Sequence, residues 1–147
     1  GGKGEGGSMI LLTPDLRFAL RANAINRQAA ARAEKPEPDP VPVVKFFSPV
    51  GAATWLATEL FADGDILFGL ADMGFGTPEL GVFSLSEIAS VRLPLGLCIE
   101  RDIGFASIHP LSVWAETALC AGSIIAAEQI LSHVARPCGD ELPPRGG

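Results

Sequence analysis

The stretch ILFGLADM, residues 66–73, is apolar on both of its alternating faces, with Ile66, Phe68 and Leu70 on one and Leu67, Ala71 and Met73 on the other. Side chains alternate across a sheet, so a strand with two apolar faces needs cover from two sides. A chain that contains it must therefore build a sheet in which this strand is central. The residues GFGTP follow as a turn and ELGVF as the returning strand, which together read as a β-hairpin. Gly74 and Gly76 suit the positive φ of such a turn, and Gly69 and Gly81 suit close packing within the strands.

Elements able to supply the cover can be read on both sides of the hairpin. TPDLRFALRANAINRQAAARA offers Thr13 as an N-cap and Pro14 at the first helical position, and predicts a helix to about Ala33. Leu16, Leu20 and Ala24 share one face of it, so the first half has the surface to dock, whereas the alanine-rich second half does not. EKPEPDPVP holds four prolines in nine residues and reads as a stiff linker into a strand, VVKFF, at 43–47. SPVGAATWLATELF repeats the helix-start chemistry at Ser48 and Pro49 and predicts a second helix to Phe61. Ser84 and Glu87 have the spacing of a capping box and predict a short helix after the hairpin. LGLCIERDIGF alternates and predicts a strand over 95–105. HPLSVWAETALCAGSIIAAEQILSHVA predicts one long helix, weakened at Gly122. The sum is an α+β fold, a small antiparallel or mixed sheet packed with helices, in a single domain.

The eight residues GGKGEGGS carry nothing to bury and precede Met9, so 1–8 read as a cloning scar, 9–136 as the domain and 137–147 as a disordered tail. No apolar run reaches the roughly 20 residues of a bilayer span, which points to a cytoplasmic protein with no membrane partner. Three cysteines, Cys98, Cys120 and Cys138, fit neither a disulfide framework nor a metal knuckle; they read as reduced thiols, the first two buried. Residues 10–35 carry a charge of +3 and residues 36–147 a charge of −9. The acidic part disfavours nucleic acid as a partner, and the basic part reads as one exposed helix face.

The string VVKFFSPVGAATWLATELF, then DILFGLADMGFGTPELGVFSLSEIASVRLPLGLCIERDIGF and HPLSVWAE, resembles the bacterial family catalogued as domain of unknown function 2958. The resemblance covers about Met9 to Glu116, including the opening LLTPDLR. It implies an origin in bacterial chromosomes, plasmids or integrated mobile elements, and implies no activity. The proline-rich insert at 36–42 and the alanine-rich final helix are individual to this chain.

The glycines of 69–81 do not form a phosphate cradle, because a strand rather than a helix follows GFGTPEL and Pro78 lacks an amide. There is no GxSxG elbow, and His109 and His133 stand at the edges of the last helix without paired zinc ligands. Two readings are left. The first, preferred, is an accessory or interaction protein that binds a protein partner or itself, with no cofactor; Trp55, Phe75 and Trp114 are its candidate anchors. The second is a divalent-metal-dependent hydrolase or nuclease. Asp72 and Glu79 would bind Mg²⁺ or Mn²⁺ across the hairpin, Glu100 would join if its strand pairs alongside, and Lys45 would stabilise developing negative charge. Its competitor is a solvated acidic sheet face with Lys45 in an ion pair.

Overall fold

The computed structural model describes residues 10–135, so residues 1–8, read above as a scar, Cys138 and the tail predicted at 137–147 lie outside the described residues. The elements are α1 (Pro14–Arg32), β1 (Val44–Phe47), β2 (Thr54–Leu60), β3 (Ile66–Asp72), β4 (Glu79–Ser84), α2 (Leu85–Ser90), β5 (Glu100–Arg101), α3 (Leu111–Ala121) and α4 (Ile124–Ala135). The five strands form one antiparallel sheet in the order β4-β3-β2-β1-β5. This is an α+β fold.

β3 is covered on both faces. Leu67 and Ala71 pack with Leu20 of α1, Trp55, Ala57 and Ile88, whereas Phe68 and Leu70 pack with Leu111, Trp114, Ala118, Ile124 and Leu131 of α3 and α4. The sheet thus separates two apolar clusters. α1 starts as its sequence predicts, with the Thr13 hydroxyl accepting from Leu16 N at 3.2 Å and Pro14 in the first turn. Its basic residues do not all face solvent. Arg21 donates to the Leu60 carbonyl at 2.7 Å, Arg17 to that of Gly64 at 3.3 Å, and Arg27 to both carboxylate oxygens of buried Glu59. The +3 segment is bound by the end of the acidic sheet, and these contacts anchor the second half of the helix as well as the first.

Four sequence expectations are corrected. The second predicted helix is strand β2, with a turn at its start: Ser48 Oγ accepts from Val50 N at 3.2 Å, and Ser48 N bonds the Ala53 carbonyl. Serine followed by proline begins a turn as readily as a helix. All seven β2 residues are buried, including Thr58 and Glu59, which a surface helix would have exposed. A place between β1 and β3 with helices on both faces overrides the helix propensity of Ala, Leu and Glu.

The predicted strand over 95–105 shrinks to Glu100–Arg101. Leu95 and Gly96 take positive φ in a 3₁₀ turn, and Asp102 Oδ1 accepts from Gly104 N at 3.2 Å in a second turn, so the alternation is broken at both ends. Leu95 and Ile103 are exposed.

The long final helix is two helices bent by 115°. Gly122 ends α3 at φ 92, its amide on the Ala118 carbonyl, and Ser123 Oγ receives Ala126 N at 3.0 Å to open α4. A left-handed glycine followed by a serine stops one helix and caps the next. Cys98 is half-buried and Cys120 exposed, against the expectation that both are buried. Among the described residues, no single helix is long and apolar enough to cross a membrane.

The hairpin is held to α2 by a carboxylate that the sequence did not single out. Asp65 accepts from Ser84 Oγ at 2.7 Å and Ser86 N at 2.8 Å, while Ser84 Oγ receives Glu87 N at 3.1 Å as the capping box predicts. The Ser84 hydroxyl, then the Ser86 amide, hold the Asp65 carboxyl below its ordinary value of 3.8. A group with a depressed folded pKa contributes stability above the ordinary value and loses it as pH falls through the folded one. Asp65→Asn is expected to flatten the acid limb of the stability profile, read from urea midpoints between about pH 6 and about pH 2.5. An unchanged limb would show that this contact carries none of it.

Candidate functional site

Asp72, at the end of β3, is fully buried. Its Oδ1 accepts from Gly74 N at 2.8 Å and its Oδ2 from Ile124 N at 2.8 Å, so both oxygens are occupied by backbone amides. One starts the hairpin turn and the other starts α4, where a carboxylate also meets the positive end of the helix dipole. The Asp72 side chain therefore fastens the end of β3 to the start of α4.

Glu79 stands on β4 opposite Ala71 and is exposed. Glu100 is on β5, which pairs with β1 at the other edge of the sheet. Four strand spacings separate β4 from β5, about 19 Å at about 4.8 Å each. Asp72, Glu79 and Glu100 are not brought together, and among the described residues no group of three or more His, Cys, Asp and Glu is placed to hold a metal ion.

Lys45 does meet carboxylates, though not those. Its Nζ lies 2.5 Å from Glu128 Oε1 on α4 and 3.5 Å from Asp102 Oδ2, with the Phe47 ring centroid at 5.8 Å. The register explains the meeting: Asp102 N bonds the Lys45 carbonyl just past β5, while α4 crosses the same face of the sheet. Beside this pair opens a pocket of about 160 Å³ walled by Ser107, His109, Trp114, Glu128, Leu131 and Ser132, among others. Trp114 Nε1 donates to Ser107 Oγ at 2.8 Å, and that hydroxyl also receives His109 N at 3.0 Å. His109 Nε2 is buried without a hydrogen-bond partner, the one side-chain polar atom in that condition among the described residues. The sequence pointed to Lys45 but missed Glu128 and His109. Residues 83 positions apart give no spacing to read, and His109 looked like a helix-cap residue.

Of the three candidate anchors, Trp55 and Trp114 are core residues, one in each cluster. Phe75 is 85% exposed at the hairpin tip, next to Met73. The tip continues into β4, whose Leu80 and Val82 are 51% and 60% exposed on one face, and whose one sheet neighbour among the described residues is β3. β4 has no lysine, internal proline or bulge, the usual devices that protect an edge strand.

The fold and these surfaces define a small α+β protein with a five-stranded antiparallel sheet, an open edge among the described residues and a pocket between residues 106–109, α3 and α4. The chain belongs to the family described as protein of unknown function (DUF2958), whose model matches residues 11–125, from the segment before α1 to the first turn of α4. No curated protein and no solved structure matches it.

Proposed function

We propose that this protein is an interaction module of the bacterial cytoplasm, serving a plasmid or mobile-element region, and that it engages a protein partner through the β3–β4 hairpin tip and the β4 edge. The observation that supports this most is the set of exposed apolar side chains, Met73 and Phe75 in the hairpin turn and Leu80 and Val82 on β4, beside a strand edge that pairs with no other strand among the described residues. An added strand would satisfy the free amides and carbonyls, and the side chains would give it specificity. No cofactor enters this reading.

A photo-reactive benzophenone residue placed at Phe75 or at Val82, and cross-linked in cells, tests it. Discrete adducts are expected at both positions and not at Phe18, an equally exposed apolar residue on α1. No adduct at the hairpin, or the same pattern at Phe18, would overturn the assignment of this edge.

A further inference from the structure

We infer that the occupant of the β4 edge is a second copy of this chain, paired antiparallel about a two-fold axis at Gly81; the inference rests on the reading of that edge given above. The hydrogen-bond pattern comes first. Leu85 N bonds the Asp65 carbonyl at 2.9 Å, and the β3–β4 register continues from there through Leu67 with Phe83, Gly69 with Gly81 and Ala71 with Glu79. Alternate pairs of an antiparallel ladder exchange both bonds, so Glu79, Gly81 and Phe83 spend their amides and carbonyls on β3. Leu80 and Val82 turn theirs to the open side, where β4 pairs with no strand among the described residues. Phe61 N on the Ile66 carbonyl at 2.8 Å gives the same phase, because it turns Ile66, the residue between Asp65 and Leu67, toward β2.

Self-pairing admits few registers. An axis perpendicular to the sheet keeps like faces together, so only residues whose side chains share a face can oppose each other, and the axis must lie at a residue rather than between two. With the axis at Gly81, each Leu80 stands against the partner's Val82, and the two exchange both of their outward bonds. Moving the axis by one residue sets Val82 against Pro78, which has no amide hydrogen, or Leu80 against Ser84, where the strand ends and α2 begins. The side chains agree with the backbone. Leu80 and Val82 of both copies join in one apolar patch, on the face that carries Leu70 and Phe68, their neighbours on β3. At the axis a pair that shares no hydrogen bond brings its Cα atoms to about 4.5 Å, and glycine puts no side chain in the way. Charge does not oppose the contact, although each chain carries −6. Glu79 is the one charged residue of β4 and lies opposite the partner's Phe83. The two Glu79 positions are about 14 Å apart, beyond the screening length of about 8 Å at physiological salt. The pairing makes one continuous ladder of two sheets and removes the unprotected edge from both copies.

Sedimentation velocity of the full-length protein from about 5 to about 500 µM is expected to show the average mass rising from one chain toward two. Val82→Pro removes an outward N–H and no bond to β3, so it is expected to keep the urea midpoint of the parent at low concentration and to weaken association at least tenfold. A gain of signal tests the register. In a chain whose Cys98, Cys120 and Cys138 are replaced by serine, Gly81→Cys is expected to give a disulfide-linked dimer on mild oxidation. Its added Cβ meets nothing within 4 Å in its own copy, so the fold has room for it. Leu80→Cys in the same background is expected to stay reduced, because the two Leu80 Cα atoms stand about 8–9 Å apart, beyond the roughly 7 Å that a disulfide spans. A chain that stays monomeric throughout would overturn the second copy as occupant. The reading of the edge itself then stands or falls separately, by whether a benzophenone at Val82 captures a different chain in cells. Association undiminished by Val82→Pro, or cross-linking at Leu80→Cys as ready as at Gly81→Cys, would overturn the proposed pairing.

Discussion

Gly69→Ala is expected to unfold the protein or to cost at least about 3 kcal/mol, the largest loss of any single methyl group in this sheet. Gly69 sits on β3 opposite Ala57, beside the bulge where β2 slips register between Ala57 and Glu59. A Cβ built there would lie 1.8 Å from the Leu56 carbonyl oxygen and 2.8 Å from Ala57 Cα. Both are backbone atoms of the central strand, so no side chain can turn aside to make room. Relief requires β2 and β3 to separate, which would open both core clusters at once, since Leu56 and Leu70 lie in one and Ala57 and Leu67 in the other. Gly81→Ala is the control. It lies in register with Gly69 on β4, with nothing within 4 Å of its added Cβ. It should be neutral, or stabilising by about 0.5 kcal/mol through the unfolded chain. Urea midpoints of the two variants against the parent decide the matter, and a Gly69→Ala protein as stable as Gly81→Ala would mean that β2 and β3 do not approach this closely.

That contrast also shows which parts of the fold were readable in advance. The cover on both faces of β3 was legible because two apolar faces admit few environments, although the middle of the sheet is β2 and β3 is second from its edge, and the helix starts at Thr13 and Ser84 were legible because capping is local chemistry. β2 was not. Its Ala, Leu and Glu favour a helix in isolation, and only pairing with β1 and β3 together with cover from α1 and the α3–α4 pair, the helices being distant in sequence, makes a buried strand the better state. The alternation of residues 95–105 misled for the converse reason: it is a pattern without burial to enforce it, and a two-residue strand is all that the edge of β1 supports. The candidate site divides the same way. Lys45 stood out as a lone cation in a strand, and Phe75 as an aromatic in a turn, each from local sequence. Glu128 and His109 acquire their place only when α4 crosses the sheet and the 106–109 segment closes against it.

Asp72→Ala is expected to destabilise the protein by about 3 kcal/mol, with the loss fully present in EDTA and unchanged by Mg²⁺ or Mn²⁺. The buried amide of Ile124 and the part-buried amide of Gly74 would lose their acceptor together. Asp72→Asn distinguishes acceptor geometry from volume. The amide oxygen can keep one of the two bonds, but its NH₂ would confront the other N–H, so a loss of more than about 1 kcal/mol is expected from a nearly isosteric change. Unfolding midpoints in EDTA and in millimolar Mn²⁺ separate a fastening role from metal ligation. A ligand's loss would appear as a metal-dependent stabilisation that the variant lacks, over an unchanged metal-free baseline. A fastener's loss lowers the baseline itself. The geometry favours the second outcome, because a carboxylate with both oxygens bound to amides and no exposed surface must give up those bonds before it can reach an ion. The acidic residue that most resembled chemistry in the sequence is thus the one through which the hairpin, and with it the exposed edge of β4, is held against α4.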